Sequence, residues 1–156
     1  FNLIFKGGAI DYLCGGAICS DQSSRYYQWQ ESIDLKTREA ALKNYAGFEK
    51  VKDLRPLSLG KSGRVVEMEF QGEKKTAVLK GNDIRFALGL RSNLIEEMQE
   101  VRDAEGFIER LEVAGRGWGH GVGLCQIGAV EMARGGREYD EILRHYYRGI
   151  ELKRWF

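Results

Sequence analysis

Apolar and polar positions along this chain follow two different spacings, and the spacings divide it into elements. Residues 1–5 form a short apolar run stopped by Lys6-Gly7-Gly8, the pattern of a strand entering a turn. Residues 13–24 are small and polar with neither period, which reads as a loop. Tyr26, Tyr27 and Trp29 open an aromatic stretch of strand type and read as core-facing in preference to a stacking platform. Asp34 then stands as N-cap of a helix predicted over 35–44. Residues 48–59 read as extended. Val65, Met68 and Phe70 lie on a run that turns at Gln71-Gly72-Glu73 into Thr76-Ala77-Val78-Leu79, a hairpin. Asn82 or Asp83 caps a short helix over 84–88 that ends at Gly89, and 95–101 pairs with 107–113 as a second hairpin. Helical spacing returns over 124–134 up to Gly135-Gly136. Asp140 caps a further helix over 141–147, and 150–156 reads as a returning strand.

These elements predict an α+β fold: a central antiparallel sheet with a few short helices, the 124–134 helix packing on the sheet as an amphipathic element. A chain of 156 residues forms one domain by default and is large enough to bury a core without metal or disulfide. Twenty-four Lys plus Arg against 23 Asp plus Glu leave a formal charge of +1, which argues against nucleic acid as a partner, because phosphate neutralisation needs a basic surplus. No window approaches the ~20 apolar residues of a membrane span. Phe1 follows neither an initiator Met nor a leader, so a preceding segment is expected. Of three cysteines, Cys14 and Cys19 can close a small loop or stay as thiols, with Cys125 left over.

Glycine, with 20 residues, is nearly twice as frequent as in average chains, and it concentrates in one place. From Gly115 to Gly123 it occupies every second position: Gly115-Arg116-Gly117-Trp118-Gly119-His120-Gly121-Val122-Gly123. Read as extended chain, the segment sends Arg116, Trp118, His120 and Val122 to one side and leaves the other bare for close approach of a chain or ligand; the alternative is that the glycines turn a tight corner or form a bulged strand, with Trp118 in the core and His120 bonded to a backbone carbonyl. A cation, a flat aromatic and an imidazole in a row are the means by which proteins hold sugars: a ring face for stacking and donors for hydroxyls or carboxylates. Gln126, at the start of the following helix, is placed to support them.

Residues 115–129, Gly-Arg-Gly-Trp-Gly-His-Gly-Val-Gly-Leu-Cys-Gln-Ile-Gly-Ala, closely resemble the signature of the stage II sporulation protein D family, which includes amidase-enhancer relatives. Met132-Ala133, Gly136, Tyr139, Ile142-Leu143, His145-Tyr146-Tyr147 and Gly149 keep that register. Ser62-Gly63-Arg64-Val65, Gly81-Asn82-Asp83-Ile84-Arg85 and Leu88-Gly89-Leu90-Arg91-Ser92 resemble the family's middle section, and Cys14-Gly15-Gly16 its Cys-Gly-Gly loop. The resemblance implies a peptidoglycan lytic transglycosylase working outside the cytoplasm, in the cell envelope, on glycan strands, with a membrane anchor on the full-length protein and other cell-wall hydrolases as partners. A glutamic acid protonates the glycosidic oxygen while the C6 hydroxyl attacks C1, leaving an anhydromuramyl end. The resemblance also singles out Arg85, Arg91 and Ser92, which suit contacts to hydroxyl, lactyl-carboxylate or N-acetyl groups and equally surface salt bridges and a helix C-cap.

The family's general acid lies before the Cys-Gly-Gly loop, so the chain is expected to be the carboxyl-terminal portion of the domain, lacking its amino-terminal catalytic segment. Glu96-Glu97-Met98 stands in the wrong register to replace it, and Glu31, Glu39 and Glu131 read as solvated carboxylates. The expected substrate-binding set is therefore Arg116, Trp118, His120, Gln126, Arg85 and Ser92, with the catalytic residue unknown. No metal or other cofactor is expected, since Cys14 and Cys19 without a nearby histidine supply only two ligands. A Cys125 nucleophile is the weaker reading for want of an orienting third residue. From another class, the rival is an enhancer module that binds a cell-wall amidase and no sugar.

Overall fold

The computed structural model describes residue 22 and residues 24–153. Among these are six strands: β1 (Gln28–Asp34), β2 (Asp53–Leu59), β3 (Val65–Gln71), β4 (Thr76–Lys80), β5 (Ile95–Arg102) and β6 (Ile108–Arg116). Four α-helices accompany them: α1 (Glu39–Ala46), α2 (Asn82–Leu88), α3 (Gln126–Arg134) and α4 (Tyr139–Tyr146). The class is α+β as expected, but the strands form two antiparallel three-stranded sheets, β1-β6-β5 and β2-β3-β4, in place of one central sheet. Both predicted hairpins are present, as β3–β4 and β5–β6.

Strand patterning fixes which faces meet. Met68 and Phe70 of β3 alternate inward and are fully buried, as are Leu111 and, nearly so, Val113 of β6. They share one core with Trp29, Leu42, Leu54, Leu79, Ile84 and Leu88, so both sheets, α1 and α2 close on the same apolar centre. Two register shifts matter nearby. Ile95 pairs with Gly115 and Glu97 with Ala114, so Glu96 is the extra residue of a bulge, the usual means of re-aiming a side chain at a strand end. In β2 the shift between Pro56 and Ser58 turns Leu57 out to solvent on an edge strand, where proline is tolerated.

Asn93, buried, donates its amide to the carbonyls of Gly81 at 2.6 Å and Val65 at 3.3 Å, tying β3, the start of α2 and the 91–94 connection together. Arg38 donates to the carbonyls of Phe86 and Ala87, supplying a cation to the last turn of α2 before Gly89 ends it in left-handed conformation.

Several local expectations are corrected. The helix predicted over 35–44 divides into a 3-10 turn, Leu35–Arg38, capped by Asp34, and α1. Gly81, not Asn82 or Asp83, is the N-cap of α2. Glu138, not Asp140, caps α4, through a reciprocal capping box with Glu141. The helix predicted to pack on the sheet, α3, packs on α4 instead, in a separate small cluster of Met132, Ile142 and Tyr146. Residues 150–153 form no strand, and 1–21 and 154–156, with the strand predicted at 1–5, lie outside the described residues.

Candidate functional site

The site is built on the glycine-rich segment that leaves β6. Its extended reading holds only to Arg116. Beyond it Gly117, Gly119, Gly121 and Gly123 take φ of 72°, 85°, 71° and 78°, left-handed backbone that cannot continue a strand, so the alternating glycines serve turning rather than pleating. The face expected to be bare is covered by Arg64 at Gly121, where a Cβ would stand 2.3 Å from its Nε, and stays open at Gly119.

The turning segment is fastened at successive points. Arg116 N–H donates to Leu94 at 2.9 Å, Gly117 N–H to Tyr27 at 3.1 Å and Gly119 N–H to Arg91 at 2.8 Å. Trp29 Nε1 reaches the Gly117 carbonyl at 2.9 Å, and the Ser92 hydroxyl donates to the Arg116 carbonyl. What these bonds hold outward is Trp118, which is 57% exposed. Tyr26 packs against its ring at 4.8 Å between centroids, tilted by 57°, and the Arg91 guanidinium lies 5.8 Å from the indole centroid. Arg91 Nε in turn donates to Glu31 Oε1 at 2.6 Å.

Trp118, Arg91, Glu31, Arg85, Phe86 and Arg38 line a cleft of about 380 Å³. A second cleft of similar volume adjoins it along β1, past Ser32, Asp34 and Thr37, and shares Glu31, Arg38 and Gly89 with the first. The Arg85 guanidinium lies over the Phe86 ring, 5.1 Å from its centroid, with Nε donating to Leu90 at 3.2 Å. Three arginines against one carboxylate make the cleft cationic, although the whole chain is nearly neutral.

Of the six residues expected to bind substrate, Trp118 and Arg85 line the cleft. His120, half-buried, accepts the Val122 N–H on Nδ1 at 3.0 Å, which places the proton of the neutral ring on Nε2. Burial, then the charges of Arg85 and Arg64, pull its pKa below the ordinary histidine value, so it is neutral near pH 7. Arg116 pairs with the bulged Glu96 at 2.6 Å; a hydrogen bond with Tyr27 and the charge of Glu96 hold it still more firmly protonated. Gln126 is exposed at the first position of α3. Ser92 is fully buried, and its hydroxyl bonds Arg116 and accepts from Leu94 N–H at 3.0 Å; it fastens the segment from beneath rather than facing a ligand.

Sequence reasoning missed Glu31 as a member of this cluster and preferred the core-facing reading of Tyr26 to that of a stacking platform. Trp29 is core, as expected, but Tyr26 stands with Trp118, and Glu31 is drawn in by Arg91, sixty positions away. Only the alternation of β1 carried a signal: it puts Glu31 between Trp29 and Ile33 on the inward face, where a carboxylate needs a partner.

Cys125 is disulfide-bonded, which corrects its standing as the sulfur left over and removes it as a nucleophile. Its Sγ also accepts the Gly128 N–H at 3.4 Å as N-cap of α3. Cys14 and Cys19, with the loop or thiols expected of them, lie outside the described residues, and among the described residues no three His, Cys, Asp or Glu side chains gather as a metal site.

Residues 17–123 match a family described as a domain of unknown function, DUF8618. The chain is similar to stage II sporulation protein D of Bacillus subtilis (strain 168), 40% identical over 74 residues, which is 47% of this chain and 20% of that protein. It is 29% identical over 94% of its length to an uncharacterized protein of Brachyspira hyodysenteriae, covering 38% of that protein, and 45% identical over 43 residues, 28% of the chain and 6% of the relative, to the amidase enhancer of B. subtilis. The chain thus spans about a fifth of the length of the sporulation proteins it matches.

Proposed function

The chain belongs to the DUF8618 family of domains of unknown function, and from that premise we propose that it is the glycan-binding portion of a peptidoglycan lytic transglycosylase of the cell envelope, related to stage II sporulation protein D. The observation that carries the reading is the exposed Trp118, braced by Tyr26 and Arg91 at the mouth of a cationic cleft that continues along β1. An indole face accepts the apolar face of a pyranose. Arginines beside it offer planar, paired donors for hydroxyls and for the lactyl carboxylate of a muramyl unit stripped of its peptide. Two adjoining clefts suit a polymer better than a single small molecule. The bonded Cys125 supports a compartment outside the reducing cytoplasm, and no described helix is long and apolar enough to cross a membrane.

Retention on purified glycan strands tests the reading. Wild type is expected to be held and a Trp118→Ala, Arg85→Ala double variant to wash through; equal retention of the two would overturn it. The similarity to amidase enhancer supports a second reading, an interaction module for a cell-wall hydrolase. That reading gains if glycan retains neither protein while an amidase captures both.

A further inference from the structure

We propose that Glu31 is a positioning residue: it holds the Arg91 guanidinium against the indole of Trp118, so that ring and cation form one preset surface for a sugar and its polar substituents. The inference rests on the glycan reading of the same cleft and deepens it.

Trp118 sits between Gly117 and Gly119, both in left-handed backbone, and most of its side chain is in solvent. Hydrogen bonds pin the backbone on both sides, but they leave the exposed ring to turn about its own side-chain bonds, and a ring that must be ordered on binding loses affinity to that ordering. Its bracing comes from two side chains, Tyr26 and Arg91. Arg91 is the better placed of these, because its own carbonyl takes the Gly119 N–H at 2.8 Å and so fixes the backbone on one side of the indole. The guanidinium alone carries several rotatable bonds, and Glu31 fixes it, accepting from Nε at 2.6 Å.

Strand register explains why the carboxylate is available. β1 alternates Trp29, Glu31, Ile33 on its inward side, so Glu31 stands where an apolar residue would ordinarily be. Here both partners remain partly open, with 23% of the Glu31 and 33% of the Arg91 side chain exposed, and both line the cleft.

The experiment uses the whole chain and glycan strands freed of stem peptides by an amidase. Glycan affinity, melting temperature and acrylamide quenching of Trp118 are measured, the Trp118 signal being each protein's emission less that of its Trp118→Phe counterpart. Glu31→Gln is expected to melt close to wild type, to bind glycan about tenfold more weakly, and to show Trp118 more accessible to quencher without any ligand. Arg91→Lys keeps the charge but not the planar group and is expected to fall between. The exchange Glu31→Arg with Arg91→Glu is expected to melt close to wild type and not to recover the affinity, because a carboxylate then faces the ring. Glu31→Gln indistinguishable from wild type in affinity and quenching, or full recovery of affinity in the exchange, overturns the proposal while leaving the glycan reading standing. Wild type that binds no glycan, together with a quenching change in Glu31→Gln, retains the positioning role and removes the glycan reading.

Discussion

The ring of Trp29 fills the space a side chain on Gly115 would need. A Cβ there would stand 2.4 Å from Trp29 Cζ2 and 2.5 Å from the Leu94 carbonyl, and the same indole donates to Gly117. Because one of those neighbours is backbone, the strain cannot be relieved by a rotamer change. Gly115→Ala is expected to lower unfolding free energy by about 1–3 kcal/mol in urea titration, the usual range for an overpacked interior. A variant as stable as wild type would show that β1 and β6 part more easily than their register implies.

Trp118 lies three residues along the same segment and should behave oppositely. Its ring is mostly in solvent, so Trp118→Ala is expected to change stability by no more than about 0.5 kcal/mol while glycan retention is lost. A large drop in melting temperature would mean that the ring belongs to the fold and not to a ligand surface.

The hairpins were legible because β3 and β6 alternate and their turns carry glycine or acidic residues, so period and turn chemistry agree. The packing of α3 was not. Its apolar residues fit a sheet or a neighbouring helix equally well, and only the formation of α4 with Ile142 and Tyr146 facing Met132 decides between them. Alternating glycine was likewise ambiguous, since the same spacing serves a bare strand face or a series of left-handed turns. Trp118 and Arg85 were legible through family resemblance and composition. Glu31 was not, because its partner is distant in sequence and its neighbours in β1 carry no chemistry of their own.

The bond at Cys125 is expected to contribute strongly to stability. Either other cysteine of the chain would close a loop of more than a hundred residues, for which the chain-entropy account gives up to about 4–5 kcal/mol. Melting with and without reductant should show a fall of several degrees, and non-reducing peptide maps should link Cys125 to Cys14 or Cys19. Full alkylation of Cys125 in the native, unreduced protein would contradict this.

His120 gives the fold a pH dependence whose sign is set by its lowered pKa. Burial first, then Arg85 and Arg64, disfavour the imidazolium in the folded state, so the unfolded chain binds more protons as pH drops through the ordinary histidine range. Its contribution is therefore fully present above about pH 6.5 and is lost progressively below it. Urea midpoints between pH 7.5 and 5 should fall more steeply for wild type than for His120→Gln. Parallel slopes would show that the ring is protonated as readily in the folded chain as in the unfolded one.

Cleavage is where the cleft is least equipped. Protonating a glycosidic oxygen needs a group that holds a proton near neutral pH and releases it at the leaving oxygen. Arginine does not release one, His120 is neutral there, Glu31 is engaged by Arg91 and Glu96 by Arg116. The isolated chain is accordingly expected to bind glycan strands and leave them intact, whereas a longer protein that supplies a glutamic acid to the same cleft should generate anhydromuramyl ends. Mass spectrometry of strands incubated with each separates the cases. Anhydromuramyl products from the isolated chain would place the acid within these 156 residues, and loss of those products in Glu31→Gln but not Glu96→Gln would identify it as the carboxylate beside Trp118.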